Sequence, residues 1–342
     1  MNVVIMIPSL NPDQMLLQVV DSIRKEGFER FLIINDGSRQ ECLSVFDELE
    51  RSGCTVIHHA VNLGKGRALK TGFNYTLKYM DDAAGVITCD ADGQHEPSAI
   101  RVVADTMLAN PDHVVLGVRK FFEARVPALN LFGNTITRLA FVLLTGLAFG
   151  DTQCGLRAFP MKVLPVLMET AGERFEYENV MLLDFRTKHI DYVEVPMRAV
   201  YETVQHGKIS HFNKLLDPIR IYKKLLGFAI SPIVCGLLAS MLFMMLVPYV
   251  NGASEVTWIA SVSALVGLLA LWLVSPARHA AVSAAMAIGV TLLCTGFVWL
   301  LNGMLGLPPI GAWWLMAIPV GPLAYAVWLH ARYGRKPTRT KR

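Results

Sequence analysis

The sequence is poor in charge. Asp, Glu, Lys and Arg make up 18% of the 342 residues, while hydrophobic residues make up 53%. The shortage is uneven, because after Pro218 the only acidic residue is Glu255. That excludes one uniformly polar globule and divides the chain into a polar first two-thirds and an apolar last third. A net charge of +4 is too small to argue for nucleic acid as a partner. The six cysteines (Cys42, Cys54, Cys89, Cys154, Cys235 and Cys294) include no Cys-x-x-Cys pair. They read as buried thiols in a reducing compartment, without metal or disulfide duty. There is no Gly-Lys-Ser/Thr P-loop. The apolar run Val3 to Ile7 is too short, and lacks the basic flank, for a signal peptide.

What the last third does have is four long uncharged runs, Leu226–Val247, Val256–Val274, Ala280–Leu301 and Ala312–Leu329. The first is long enough to cross a hydrocarbon core of about 30 Å and the others repeat the pattern, the fourth being short and carrying Pro319 and Pro322. The expectation is a C-terminal bundle of four transmembrane helices over residues 226–330, followed by a basic tail over 331–342. Buried core helices are the competing account. Arg220, Lys223, Lys224, Arg278 and the tail then place the first domain and both termini in the cytoplasm of an integral membrane protein. The tail itself would be drawn to an anionic leaflet or merely solvated. Residues 129–149 are apolar but carry Asn130, Asn134 and Arg138, a pattern that fits an interfacial helix or a core helix. A second such helix would cover residues 212–225.

Residues 1–225 alternate short β-rich runs with helical patterns, which indicates an α/β domain with a mostly parallel sheet. Strands are expected at Val3–Ile7, Phe31–Asn35, Thr55–His58, Gly85–Cys89, Val114–Gly117 and Tyr192–Val195. Helices are expected at Pro12–Lys25, Gln40–Arg51, Lys65–Tyr79 and Pro97–Ala109. Ligands of such sheets collect beyond the carboxyl ends of the strands. Three polar clusters fall there: Pro8-Ser-Leu-Asn11, Asp36-Gly-Ser38 and Asp90-Ala-Asp92-Gly-Gln94.

Asp90 and Asp92 can grip one hard divalent cation through oxygen. A bare D-x-D also occurs as a solvated turn. No EF-hand fits, since Arg101 stands where the bidentate Glu would be. With no dedicated cage of protein oxygens in view, a substrate's phosphates would complete the coordination, as is common for Mg²⁺. Asn62-Leu-Gly-Lys-Gly-Arg-Ala is a Gly-rich helix entry that suits either an ordinary helix start or a backbone close to a nucleotide, with Lys65 beside it.

Together with Asp151-Thr-Gln-Cys-Gly-Leu-Arg-Ala-Phe159, these stretches resemble the family 2 glycosyltransferases of the GT-A (Rossmann-like) fold over residues 3 to 225. The likeness is greatest to the dolichol-phosphate-mannose synthase and polyprenyl-phosphate branch. The resemblance implies that Pro8, Ser9, Asn11, Asp36, Lys65, Asp90, Ala91 and Asp92 bind a nucleotide-sugar donor. It implies that Asp90, Asp92 and Gln94 hold Mg²⁺ or Mn²⁺. Asp92, Arg119 and Asp151 would carry catalysis, and Arg119, Arg125, His206 and Lys208 would face the acceptor phosphate of a polyprenyl lipid. Asp151 and Glu178 sit where the family places acids, and either would equally serve as a structural partner of an arginine. The family's usual Asp-Asp-Gly-Ser and Asn-Glu are here Asn35-Asp36 and Asn11-Pro12, so the base is left open.

The expected partners are therefore the donor, the lipid phosphate, the membrane and optionally a second copy of the chain, with no nucleic acid. The absence of a Gln-x-x-Arg-Trp stretch speaks against a processive polysaccharide synthase. A transferase to another acceptor and an inactive lipid-binding or translocating relative remain as alternatives.

Overall fold

The computed structural model describes residues 2–120, 134–139, 141–142, 146–198, 216–250 and 252–274, with 293–294, 296–316 and isolated positions up to 341. Contacts divide the chain into two units. One comprises residues 1–142, 148–224 and 337–342, and the other 143–147 and 225–336.

The first unit is built on an eight-stranded sheet of order β3-β2-β1-β4-β6-β5-β7-β8. The strands are β1 (Val4–Ser9), β2 (Arg30–Asn35), β3 (Thr55–His58), β4 (Gly85–Thr88), β5 (Val114–Arg119), β6 (Arg157–Pro160), β7 (Tyr192–Met197) and β8 (Arg339–Lys341). All neighbours pair in parallel except β6, which runs antiparallel to both β4 and β5. Central strands of such a sheet are covered on both faces, which is why β1 and β2 read as unbroken apolar runs.

The helices are α1 (Met15–Arg24), α2 (Leu43–Arg51), α3 (Lys65–Tyr79), α4 (Pro97–Ala109), α5 (Leu164–Met168) and α6 (Glu176–Thr187). α1 turns Leu16, Val19, Val20 and Ile23 inward, the spacing of one helical face. Pro97 sits in the first turn of α4, where its missing N–H costs nothing. The main core joins Ile5, Ile7, Phe28, Phe31, Phe46, Ile87 and Val103, all buried. Each such side chain contributes roughly 1.5–3 kcal/mol by leaving water.

The residues of the expected interfacial helix at 134–142 are partly core. Asn134 and Phe141 are buried, Asn134 accepts from the Thr152 hydroxyl at 3.1 Å, and Phe141 meets Phe149 edge-on. Ile136, Leu139 and Val142 are exposed.

The C-terminal segment supplies β8, parallel to β7, and Arg339 Nη2 donates to the buried Glu194 at 2.5 Å.

The expected bundle of four transmembrane helices is corrected by the structure. Among the described residues no helix is long and apolar enough to cross a membrane. α7 (Leu216–Leu246) begins in a charged stretch of the first unit holding Asp217, Arg220, Lys223 and Lys224 and continues in the second from Leu225, where a 3₁₀ turn at Val247–Tyr249 follows it. α8 covers Ala253–Val274, and a π-turn occupies Trp299–Met304. The apolar composition has another use there, a small core that includes Ala239, Phe243, Val256, Ala260, Val298 and Trp313. Phe243 stacks on Trp313 at 4.3 Å. Hydropathy along a run cannot tell a face that packs on a neighbouring helix from one that meets lipid. The unit also exposes Leu237, Leu238, Met241 and Met245, an apolar surface suited to contact. Much of the expected third and fourth spans, Ala280–Leu301 and Ala312–Leu329, lies outside the described residues, and among the described ones no span supports the topology expected for an integral membrane protein with both termini cytoplasmic.

Candidate active site

The carboxyl ends of β1, β2 and β4 lie at one edge of the sheet, and the antiparallel β6 brings its beginning to the same edge through Thr88 opposite Arg157. Four loops meet there, and hydrogen bonds link them in sequence. Asn11, at a left-handed φ of 49° that asparagine tolerates, donates its N–H to Ser38 Oγ at 2.8 Å. Its side-chain oxygen accepts from the Arg39 N–H at 2.9 Å. Asp36 is buried, and its two oxygens accept from the N–H groups of Leu63 and Gly64 at 2.9 and 2.8 Å. His59 Nδ1 lies 2.8 Å from the same carboxylate. Asp36 thus anchors the Gly-rich loop.

That loop packs on protein. Gly64 has φ +103°, and a Cβ on it would lie 2.5 Å from the Glu173 carbonyl oxygen; one on Gly66 would lie 2.5 Å from Tyr177 Cβ. Both glycines let the start of α3 dock closely against residues 172–177. The docking delivers Lys65, whose Nζ lies 2.7 Å from Asp90 Oδ1 and 3.0 Å from Glu178 Oε2. Burial alone would lower the Lys65 pKa, but the charges of Asp90 and Glu178 raise it well above the usual lysine range.

Asp90 and Asp92 follow β4 directly. Burial opposes the charge on Asp90, yet Lys65 and a 3.3 Å contact from His95 Nε2 hold its pKa far below the ordinary carboxylate range. Burial and the neighbouring charge of Asp90 push Asp92 the other way, upward. Asp92 Oδ1 accepts from the Gln94 N–H at 3.1 Å, closing a tight turn. Ala91, between the two acids, packs on the main core. Gly155 faces this pair: a Cβ there would lie 2.3 Å from Asp90 Oδ2, so only glycine leaves the carboxylate its place.

On the other side of β6, Arg119 at the end of β5 grips Asp151 in a two-point ion pair, with Nε at 2.6 Å and Nη2 at 3.1 Å. The Asp151 side chain is fully buried. Arg157, the other arginine near Asp151 in the sequence, is buried elsewhere and donates to the carbonyls of Cys154 and Glu178 at 3.0 and 2.9 Å.

The structure therefore brings Asp36, Lys65 and Asp90 together through contacts and places Asp92 and Gln94 in the turn that follows Asp90. Pro8 and Ser9 end β1, and the Ser9 hydroxyl is buried without a hydrogen-bond partner among the described residues. Arg119 and Asp151 form a neighbouring pair. Arg125, His206 and Lys208 lie outside the described residues. His95 and Gly155 join the site with roles the sequence does not display, and Glu178, one of the acids the resemblance points to, joins it as a partner of Lys65.

Among the described residues no group of three or more His, Cys, Asp and Glu is arranged to hold a metal unaided. The donor set nevertheless fits a hard divalent cation: two carboxylates share one turn, and a cation would relieve the repulsion that raises Asp92.

Residues 4–154 match the profile described as Glycosyl transferase family 2. A UDP-N-acetylglucosamine–dolichyl-phosphate N-acetylglucosaminyltransferase of Methanococcus voltae is 29% identical over 58% of this chain and 85% of its own. Glycosyltransferase AglJ of Haloferax volcanii is 28% identical over 64% of this chain and 67% of its own. An uncharacterized protein of Methanocaldococcus jannaschii is 26% identical over 58% and 81%. The segment of the chain that is similar to family 2 glycosyl transferases is therefore also the one in which the strand-end carboxylates are assembled.

Proposed function

We propose that the chain transfers a sugar from a nucleotide-sugar to a polyprenyl phosphate, with inversion at the anomeric carbon. The observation that carries the proposal is the cluster Lys65–Asp90–Asp92 beside the Arg119–Asp151 pair, a set suited to phosphate groups on both reactants. The dolichyl-phosphate acceptor of the Methanococcus voltae relative supports the choice of acceptor.

The donor's nucleoside would lie along Pro8, Ser9 and Asn11, where the Ser9 hydroxyl is unspent. Asp36 acts as a positioning residue through the loop that delivers Lys65. Asp90 and Asp92, with Gln94 in their turn, would hold Mg²⁺ or Mn²⁺, which supplies charge for the departing diphosphate. Lys65 adds a fixed ammonium. Arg119 binds phosphate by a two-point fork, held in orientation by Asp151.

A phosphomonoester has a second pKa near about 6 and is largely dianionic at neutral pH. Its oxygen can attack without a protein base, and the work left to the protein is alignment and charge neutralisation. Arg125, His206 and Lys208 are the further acceptor-phosphate candidates. The test supplies purified full chain with a panel of nucleotide-sugars and either polyprenyl phosphate or the matching polyprenol. Only the phosphate should be glycosylated. An equally good alcohol acceptor would overturn the reading, since an alcohol needs a general base.

A further inference from the structure

Lys65 is unusual in being shared. Its ammonium touches Asp90 Oδ1 at 2.7 Å and Glu178 Oε2 at 3.0 Å, and its side chain is only 18% exposed. Asp90 is the carboxylate on which the metal reading depends, so the same oxygen has two claimants. The second Asp90 oxygen is also engaged, 3.3 Å from His95 Nε2. A bare divalent ion must therefore displace a buried cation before it can use Asp90. Glu178 makes that displacement feasible, because an ammonium leaving Asp90 keeps one carboxylate partner. A diphosphate makes it favourable, because its oxygens offer the ammonium a new one.

We propose that Lys65 is a resident counter-cation that withholds Asp90 from a bare metal ion, so that the metal is accepted together with the donor's diphosphate. Glu178 is the positioning residue that receives the ammonium when Asp90 is taken. The inference rests on the assignment of Asp90 and Asp92 to the metal. It adds a coupling between two ligands: each binds more tightly when the other is present, by the same factor. The order of events matters to the chemistry, since a metal arriving with the diphosphate finds Lys65 already turned toward the leaving group.

The test is Mn²⁺ binding to the purified full chain, read from the electron paramagnetic resonance of the free ion, with Mn²⁺ alone and with UDP or GDP added. Lys65→Met should bind Mn²⁺ alone tighter by about tenfold or more, equivalent to 1.4 kcal/mol or more. The nucleotide should then no longer sharpen Mn²⁺ binding as it does in the wild type. Lys65→Arg, which keeps the cation, should show no tightening. Glu178→Gln, which leaves the ammonium Asp90 alone, should weaken Mn²⁺ binding, and this arm decides the matter if Lys65→Met does not fold. In the double variant Lys65→Met/Glu178→Gln the Glu178 effect should vanish; a persisting, additive loss would mean that Glu178 acts on the ion directly and would overturn the relay. Lys65→Met binding Mn²⁺ no tighter than wild type would overturn the proposal while leaving the metal assignment intact. Wild-type Mn²⁺ binding that is insensitive to Asp90→Asn would overturn both.

Discussion

Replacing Gly155 with alanine adds one methyl group beside the Asp90 carboxylate. The new Cβ would lie 2.3 Å from Asp90 Oδ2 and 2.8 Å from its Cγ and Oδ1, where 3.4 Å is ordinary contact. The carboxylate must retreat by about 1 Å, or the start of β6 must move away from β4. Neither is free. Asp90 is held by Lys65 and His95, and Gly155 passes its carbonyl to the Thr88 hydroxyl at 2.9 Å. Overpacking of this kind costs about 1–3 kcal/mol of stability. A misplacement near 1 Å at the reacting centre costs on the order of 100-fold in rate. Gly155→Ala should therefore lower sugar transfer by about two orders of magnitude while the protein still folds cooperatively. The deficit should be largest at low metal concentration. Transfer kinetics over a range of Mg²⁺, beside thermal unfolding of the same preparation, makes the measurement. Activity within about twofold of wild type, with unchanged metal dependence, would refute the contact as a determinant of Asp90 position.

Three further perturbations test separate parts of the site. Asp92 binds its proton at higher pH in the folded chain than in the unfolded one, so stability falls as pH rises through that interval and the ionised group is a cost at neutral pH. Asp92→Asn should then raise the melting temperature of metal-free protein at neutral pH while transfer falls by at least about 100-fold, a trade that a purely structural Asp92 would not show. Arg119→Ala leaves the fully buried Asp151 carboxylate without its cation and should cost about 3–5 kcal/mol in denaturant unfolding, as well as activity; unchanged stability would contradict the ion pair. Arg339→Ala should loosen β8, read as faster amide exchange at Tyr192, whose N–H donates to the Thr338 carbonyl at 3.1 Å. Unchanged exchange would show that the Arg339–Glu194 contact does not hold that strand.

Much of the sheet is legible in the sequence because parallel strands are apolar runs ended by polar clusters. Thr55–His58, Lys65–Tyr79 and Pro97–Ala109 fall at the expected bounds, and the other expected strands and helices differ by a few residues at their ends. β6 is not legible, because it is four residues long and begins with an arginine that looks like a surface residue. Arg157 is buried only because its donors reach the Cys154 and Glu178 carbonyls, which no local pattern records. The pairing of Lys65 with Glu178 is hidden for the same reason, as the two lie far apart along the chain. In the last third, apolar content is legible but its use is not. Periodicity cannot say that Phe243 faces Trp313.

The site's two central cations are both committed before any substrate arrives, Lys65 to Asp90 and Glu178, Arg119 to Asp151. An isolated buried charge is expensive, and a paired one is kept only where geometry compensates. The Arg119–Asp151 pair therefore preorganises its side of the site: the guanidinium is already at its working position when phosphate enters, whereas Lys65 must change partner. The two pairs differ in what they can release. Asp151 has no exposed surface, and it binds Arg119 at two points, so that pair orients one fork and stays together. Asp90 is 31% exposed and shares its lysine, so that pair can exchange partners. Fixed orientation on one side of β6 and exchangeable charge on the other is the division the proposed reaction would need, with one phosphate aligned while another departs.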